Sequence, residues 1–160
     1  MTIITLTSPV GRLTVDQRRE LAESLTDAVL APEVGQLSVA ARAGFQVHFR
    51  ELPADGMAIG GRLLPDLAAP DVMTVDIAVM DAAWPDALRA EVIDRTFAAL
   101  LKACGLAKAP PTWWINFRVI EEGSWGSRGG VLSGLTLLDS GVFTPERAAA
   151  VRRALSSPAV

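Results

Sequence analysis

Few side chains in this 160-residue chain stand where they could do chemistry, and most of those are arginines and aromatics. Gly11-Arg12 follows the first apolar strand, and a glycine-arginine loop at a strand end is a ready carboxylate clamp, because guanidinium offers two parallel donors. A solvated arginine or a salt bridge explains it equally well. His48 alternates with Val47 and Phe49, so period two puts it on a polar strand face with Gln46 and Arg50. There it serves as a structural hydrogen bonder or as a proton shuttle. Arg118 repeats Arg50 in a second strand, where an ion pair or an anionic substrate would each account for it. GSWGSRGG, containing Trp125, is not a phosphate loop, because no Gly-Lys-Ser/Thr follows; its glycines suit a tight turn. Thr2 is most simply a β-branched strand residue, and its hydroxyl would need activation before acting as a nucleophile. One cysteine, Cys104, and one histidine exclude an internal disulfide and a Cys/His zinc set.

The elements that carry these residues occur twice. MTI (1–3) reads like MTV (73–75), ELAESLTDAVL (20–30) like EVIDRTFAALL (91–101), and VHFRE (47–51) like INFRV (115–119). The spacing drifts by only a few residues, as loops of unequal length require. IITLT and VDIAV read as strands. Thr14 with Gln17 forms a capping box, and Leu21, Leu25, Ala28 and Val29 make one helix face. In the second copy Pro85 suits a first helical turn; Leu88, Val92, Leu100 and Cys104 continue a stripe that Gly105 ends. FQVHFRE and WINFRVI are the second strands. A glycine pair and a short extension follow in MAIGGRLL and WGSRGGVLSGLTLL. Each unit thus reads strand, helix, strand, hairpin, with its two strands parallel across a right-handed crossover. Residues 1–70 form the first unit, 71–141 the second, and 142–160 a helical tail without counterpart, all in one compact domain.

Composition narrows the function classes. Half the residues are hydrophobic and the formal charge is −3, so no basic field invites nucleic acid. No apolar run reaches the length of a spanning helix. The amino terminus lacks the segments of a signal peptide. The expectation is a cytoplasmic protein with no membrane contact. Trp113 and Trp114 read as core or interface anchors.

The fused units, with Gly11-Arg12 before TVDQRRELAESLTDAV and then FRELPADGMAIGG and VIEEGSWGSRGG, resemble the tautomerase superfamily, in particular 4-oxalocrotonate tautomerase and its two-unit relatives. The likeness spans residues 1–138. It implies an α/β (α+β) fold: tandem β-α-β units in one four-stranded sheet, two helices on one face, and here a short C-terminal helix. It also implies a homotrimer and cofactor-free, metal-free chemistry. Family chemistry uses an amino-terminal proline as general base or acid, arginines that hold a substrate carboxylate, and an aromatic wall near the glycine turn. This chain has Thr2 in place of the proline and Thr74 in the repeat. The strand arginine falls on Gln46, and the wall on Met57 in the first unit and Trp125 in the second.

The resemblance therefore implies a keto-enol tautomerase acting on a small 2-oxo or enol carboxylate. The amino terminus, at Thr2 once Met1 is removed or at a retained Met1, would be the base, Arg12 the clamp, and Met57 and Trp125 the wall of the substrate-binding set. His48 and Arg118 are added to that set by their own place on the polar strand face, where they could also support a different chemistry in the same pocket. A free α-amine titrates near pH 8 in water, a range suited to a general base. A retained Met1 would carry its amine about 3.5 Å beyond the family position. The alternative is a non-catalytic trimer that binds a small molecule or serves as an interaction scaffold.

Overall fold

The computed structural model describes residues 1–156; the last four residues of the tail read above lie outside them. The chain runs β1 (Thr2–Pro9), α1 (Val15–Val34), α2 (Val39–Arg42), β2 (Phe45–Leu52), β3 (Ala58–Ile59), β4 (Arg62–Leu63), β5 (Met73–Met80), α3 (Asp86–Cys104), β6 (Trp113–Ile120), β7 (Gly126–Ser127), β8 (Gly130–Val131), α4 (Gly134–Leu138) and α5 (Pro145–Ser156). Four strands make one sheet in the order β2-β1-β5-β6. As the crossover helices require, β1 pairs with β2 and β5 with β6 in parallel; β1 and β5 meet antiparallel at the centre.

The capping box forms as read, with the Thr14 hydroxyl and the Gln17 side chain each accepting from the other residue's backbone N–H. Both long helices end on a left-handed glycine, Gly35 and Gly105. The two helices cover one sheet face, enclosing Ile4, Leu6, Leu25, Ile77, Val92 and Leu100. Period two leaves the other face open. Across it the register sets His48, Thr5, Asp76 and Asn116 in one row, with Asn116 Nδ2 donating to Asp76 Oδ1 at 2.9 Å. Trp113 enters the core at 3% exposure whereas Trp114 stands on the open face at 62%.

Two details of the sequence repeat change. Thr2 and Met73 both point under the helices, each opposite the first residue of its parallel partner strand. Met73 is therefore the structural counterpart of Thr2, and the shared Met-Thr pair lies one residue out of register. The hairpins also differ: Gly60-Gly61 forms the first turn, but Arg128-Gly129 forms the second, both residues of each pair at positive φ. The second glycine pair, Gly129-Gly130, thus straddles the turn and β8.

Candidate functional site at the amino terminus

Met1 is fixed at the end of the sheet where the central strand β1 begins and β5 ends. Thr2 N–H donates to Gly44 O at 2.9 Å, and Met80 N–H donates to Met1 O at 3.0 Å. The helix above presents Glu33 from its last turn. Its carboxylate is 2% exposed and receives two donors. Oε1 lies 3.2 Å from the Met1 ammonium, and Oε2 accepts from Thr2 Oγ1 at 3.1 Å. A buried carboxylate without partners would cost several kcal/mol, roughly the effective penalty for a desolvated ion; here charge and hydrogen bonds are both answered. Glu33 was missed from sequence, yet a signal was present. It continues the Leu21, Leu25, Val29 spacing, so a charge stands in line with a buried stripe.

Two cavities flank Met1. The larger, about 240 Å³, reaches Met1, Glu33, Phe45, Arg128, Leu137 and Phe143. The smaller, about 170 Å³, reaches Met1, Thr2, Gln46 and Trp125. Both take one wall from the second hairpin, because β6 runs parallel to β5 and finishes at this same end of the sheet. Arg128 sits at the hairpin tip with φ +54°. A non-glycine residue held there costs of order 1 kcal/mol, which glycine avoids in the first hairpin. Arg128 has no ion-pair partner in the described residues. With the amine and Glu33 offsetting each other, it leaves the larger cavity with net positive charge, suited to a small anion.

Arg147 completes the surroundings from α5. Its Nε donates to Glu33 O at 3.1 Å, and its Nη2 donates to Ala82 O and Ala83 O at 2.6 and 3.1 Å. Burial pulls its pKa down, while the nearby Glu33 charge opposes that shift.

The residues singled out from sequence divide among three places. Thr2 and Trp125 line the same small cavity. Arg12 lies past the far end of β1, whose length is roughly 23 Å for seven steps of a strand. There it is held by Asp71, with Nε to Oδ1 at 2.7 Å and Nη2 to Oδ2 at 2.8 Å, and it stacks 5.7 Å from the Trp113 ring. The hydrogen bonds to Asp71 raise the arginine's pKa and lower that of the carboxyl. Cys104 lies at the same end, its thiol pushed up by burial. Met57 precedes β3 in the hairpin that follows β2, so it belongs to that end as well. His48 and Arg118 stand on the open sheet face; His48 Nε2 is 3.0 Å from Oε1 of Gln46, which borders the small cavity. Neither Arg50 nor Arg118 forms an ion pair among the described residues. No group of three His, Cys, Asp or Glu there could hold a metal, and no helix there is long and apolar enough to cross a membrane.

No protein-family model and no curated protein sequence matches the chain. Solved structures match its fold. A native fused 4-OT superposes with a TM-score of 0.66 at 21% identity, covering 81% of this chain and 94% of that one. N1, a member of the cis-3-chloroacrylic acid dehalogenase family, gives 0.66 at 18% identity over 94% and 99%. The Q0 fused 4-OT, a symmetric trimer, gives 0.66 at 18% identity over 84% and 98%. The chain has the fold of the tautomerase superfamily in its fused, two-unit form.

Proposed function

We propose that the cavities around the amino terminus form the working site of a cofactor-free keto-enol tautomerase for a small 2-oxo or enol carboxylate. One observation carries the reading: an α-amine, ion-paired to a buried glutamate, lies between two cavities under Trp125 and Arg128. Ketonisation moves a proton from the enol oxygen to carbon with no net redox change. An ammonium–amine pair serves that exchange, because the ammonium gives one proton to carbon and the resulting amine recovers one from the enol oxygen, both within hydrogen-bond reach. In this account Glu33 orients the amine, Arg128 holds the carboxylate, and Trp125 keeps the pocket dry. The reacting nitrogen belongs to Met1, or to Thr2 once Met1 is removed, which a small second residue permits.

The chain is further proposed to act as a homotrimer in the cytoplasm. Support comes from the open sheet face bearing Trp114 and from the trimeric Q0 fused 4-OT. Arg12 and Met57 stand at the opposite end of their own chain, so any part they take in this site requires a neighbouring copy, with Asp71 competing for Arg12. His48 and Arg118, on the open face, take part only through such an interface.

A second reading, a non-catalytic binder, draws on the Thr2 hydroxyl and the amine both being engaged by Glu33. Ultraviolet measurement of phenylenolpyruvate ketonisation separates the two. The tautomerase reading expects turnover above the spontaneous rate and a loss of about tenfold or more in kcat/KM for Arg128→Ala, the scale of one charge-assisted hydrogen bond. Wild-type protein indistinguishable from buffer would overturn it in favour of the binder.

A further inference from the structure

Resting on that reading, we propose that Arg147 of the C-terminal helix is a positioning residue for the amino-terminal site, holding the last turn of α1 so that Glu33 meets the α-amine. The final carbonyls of a helix lack partners inside it. Here the C-terminal segment supplies them: Glu33 O accepts from Arg147 Nε at 3.1 Å, and Val34 O accepts from Thr144 N–H at 2.8 Å. The same guanidinium reaches Ala82 O and Ala83 O, just beyond Met80, whose N–H holds Met1 O. One planar cation thus joins the segment carrying the carboxylate to the segment fixing the amine. Lysine cannot replace it, since an ammonium does not span three carbonyls with a fixed fork.

The fit leaves little slack. A Cβ on Gly35 would lie 2.4 Å from Thr144 Oγ1 and 2.9 Å from Arg147 Cγ. At the pseudo-equivalent helix end nothing lies within 4 Å of a Cβ on Gly105. The offset of 71 that matches Thr2 to Met73 places Cys104 where Glu33 would be. The helix α5 therefore serves one end of the duplicated sheet, the end with the amine.

Lys102 and Lys108 are the only lysines, so acetylation by an N-hydroxysuccinimide ester can be followed at the α-amine against two internal references by peptide mass spectrometry. In Arg147→Met and Arg147→Lys the α-amine is expected to react about fivefold faster, as one loosened hydrogen bond implies, with both lysine rates unchanged. In the ketonisation assay kcat is expected to fall about tenfold while KM stays within about twofold, the pattern of lost orientation. Arg152→Met, an exposed position on the same helix, should match wild type in both assays. Arg147→Lys keeps the charge and stem and decides the matter if Arg147→Met does not fold. An α-amine rate in Arg147→Lys within twofold of wild type would overturn the proposal. Absence of wild-type ketonisation would instead sink the tautomerase reading, with the labelling rates still deciding the role of Arg147.

Discussion

The Glu33 network should dominate the stability of the amino-terminal edge, and Glu33→Gln measures it. The substitution keeps side-chain volume and one acceptor oxygen but removes the charge. Hydrogen bonds to charged groups contribute about 1.5–3 kcal/mol when buried. The amine of Met1, on a residue 24% exposed, merits the lower part of that range because solvent screens it. The bond from Thr2 Oγ1, at 1% exposure, merits the full range, though glutamine retains part of it. The net expectation is a loss of about 2 kcal/mol, or about 4–8 °C in Tm for a domain of this size. Thr2→Val, nearly the same shape without the hydroxyl, should cost about 1–2 kcal/mol by leaving one carboxylate oxygen unanswered. Because the residues share a bond, the double variant should depart from additivity by about 1 kcal/mol. Urea unfolding at fixed protein concentration reads all four proteins without confusing stability with assembly. Glu33→Gln within about 0.5 kcal/mol of wild type, the scatter of an ordinary surface substitution, would refute the reasoning.

At the opposite end, Asp71→Asn is expected to lose about 1–2 kcal/mol at pH 7, the scale of a partly exposed bidentate pair. The Arg12 hydrogen bonds depress the Asp71 pKa in the folded state, so its contribution is complete above the unfolded value of about 3.9. It is lost as pH falls through the lower folded value, and urea midpoints of variant and wild type should converge there. Gly35→Ala should cost at least about 1 kcal/mol more than Gly105→Ala by thermal unfolding, since both pay for positive φ but only the first meets Thr144. Cys104, its thiol pushed up by burial, should alkylate with iodoacetamide at pH 7.5 more slowly than a free cysteine, because the thiolate is the reactive form; an equal or faster rate would contradict this.

Much of the fold was legible because its signals are local. Alternation in FQVHFRE and WINFRVI, the Thr14–Gln17 box and the glycines that end both helices each specify their own neighbourhood. Register was not, since identity of Met-Thr letters competes with the facing of the side chains, and burial decides facing. The site was legible only in part. The resemblance put Trp125 at the wall position, and in the fold it shares a cavity with Thr2 of its own chain, but Arg128 was hidden because a turn position normally given to glycine carries an arginine. Arg147 could not be found from sequence. Its acceptors, Glu33 O and the Ala82 and Ala83 carbonyls, are backbone atoms 114, 65 and 64 residues away and leave no side-chain pattern.

The central claim is that the α-amine stands in a pocket that binds a small 2-oxo carboxylate. Its most direct test is reductive trapping: pyruvate and cyanoborohydride convert an amine that meets the keto carbon into a stable secondary amine, located by peptide mass spectrometry. The account expects the adduct to form on the amino terminus well ahead of Lys102 and Lys108, with that preference lost in Arg128→Ala. Equal labelling of all three amines, or a preference indifferent to Arg128, would contradict it.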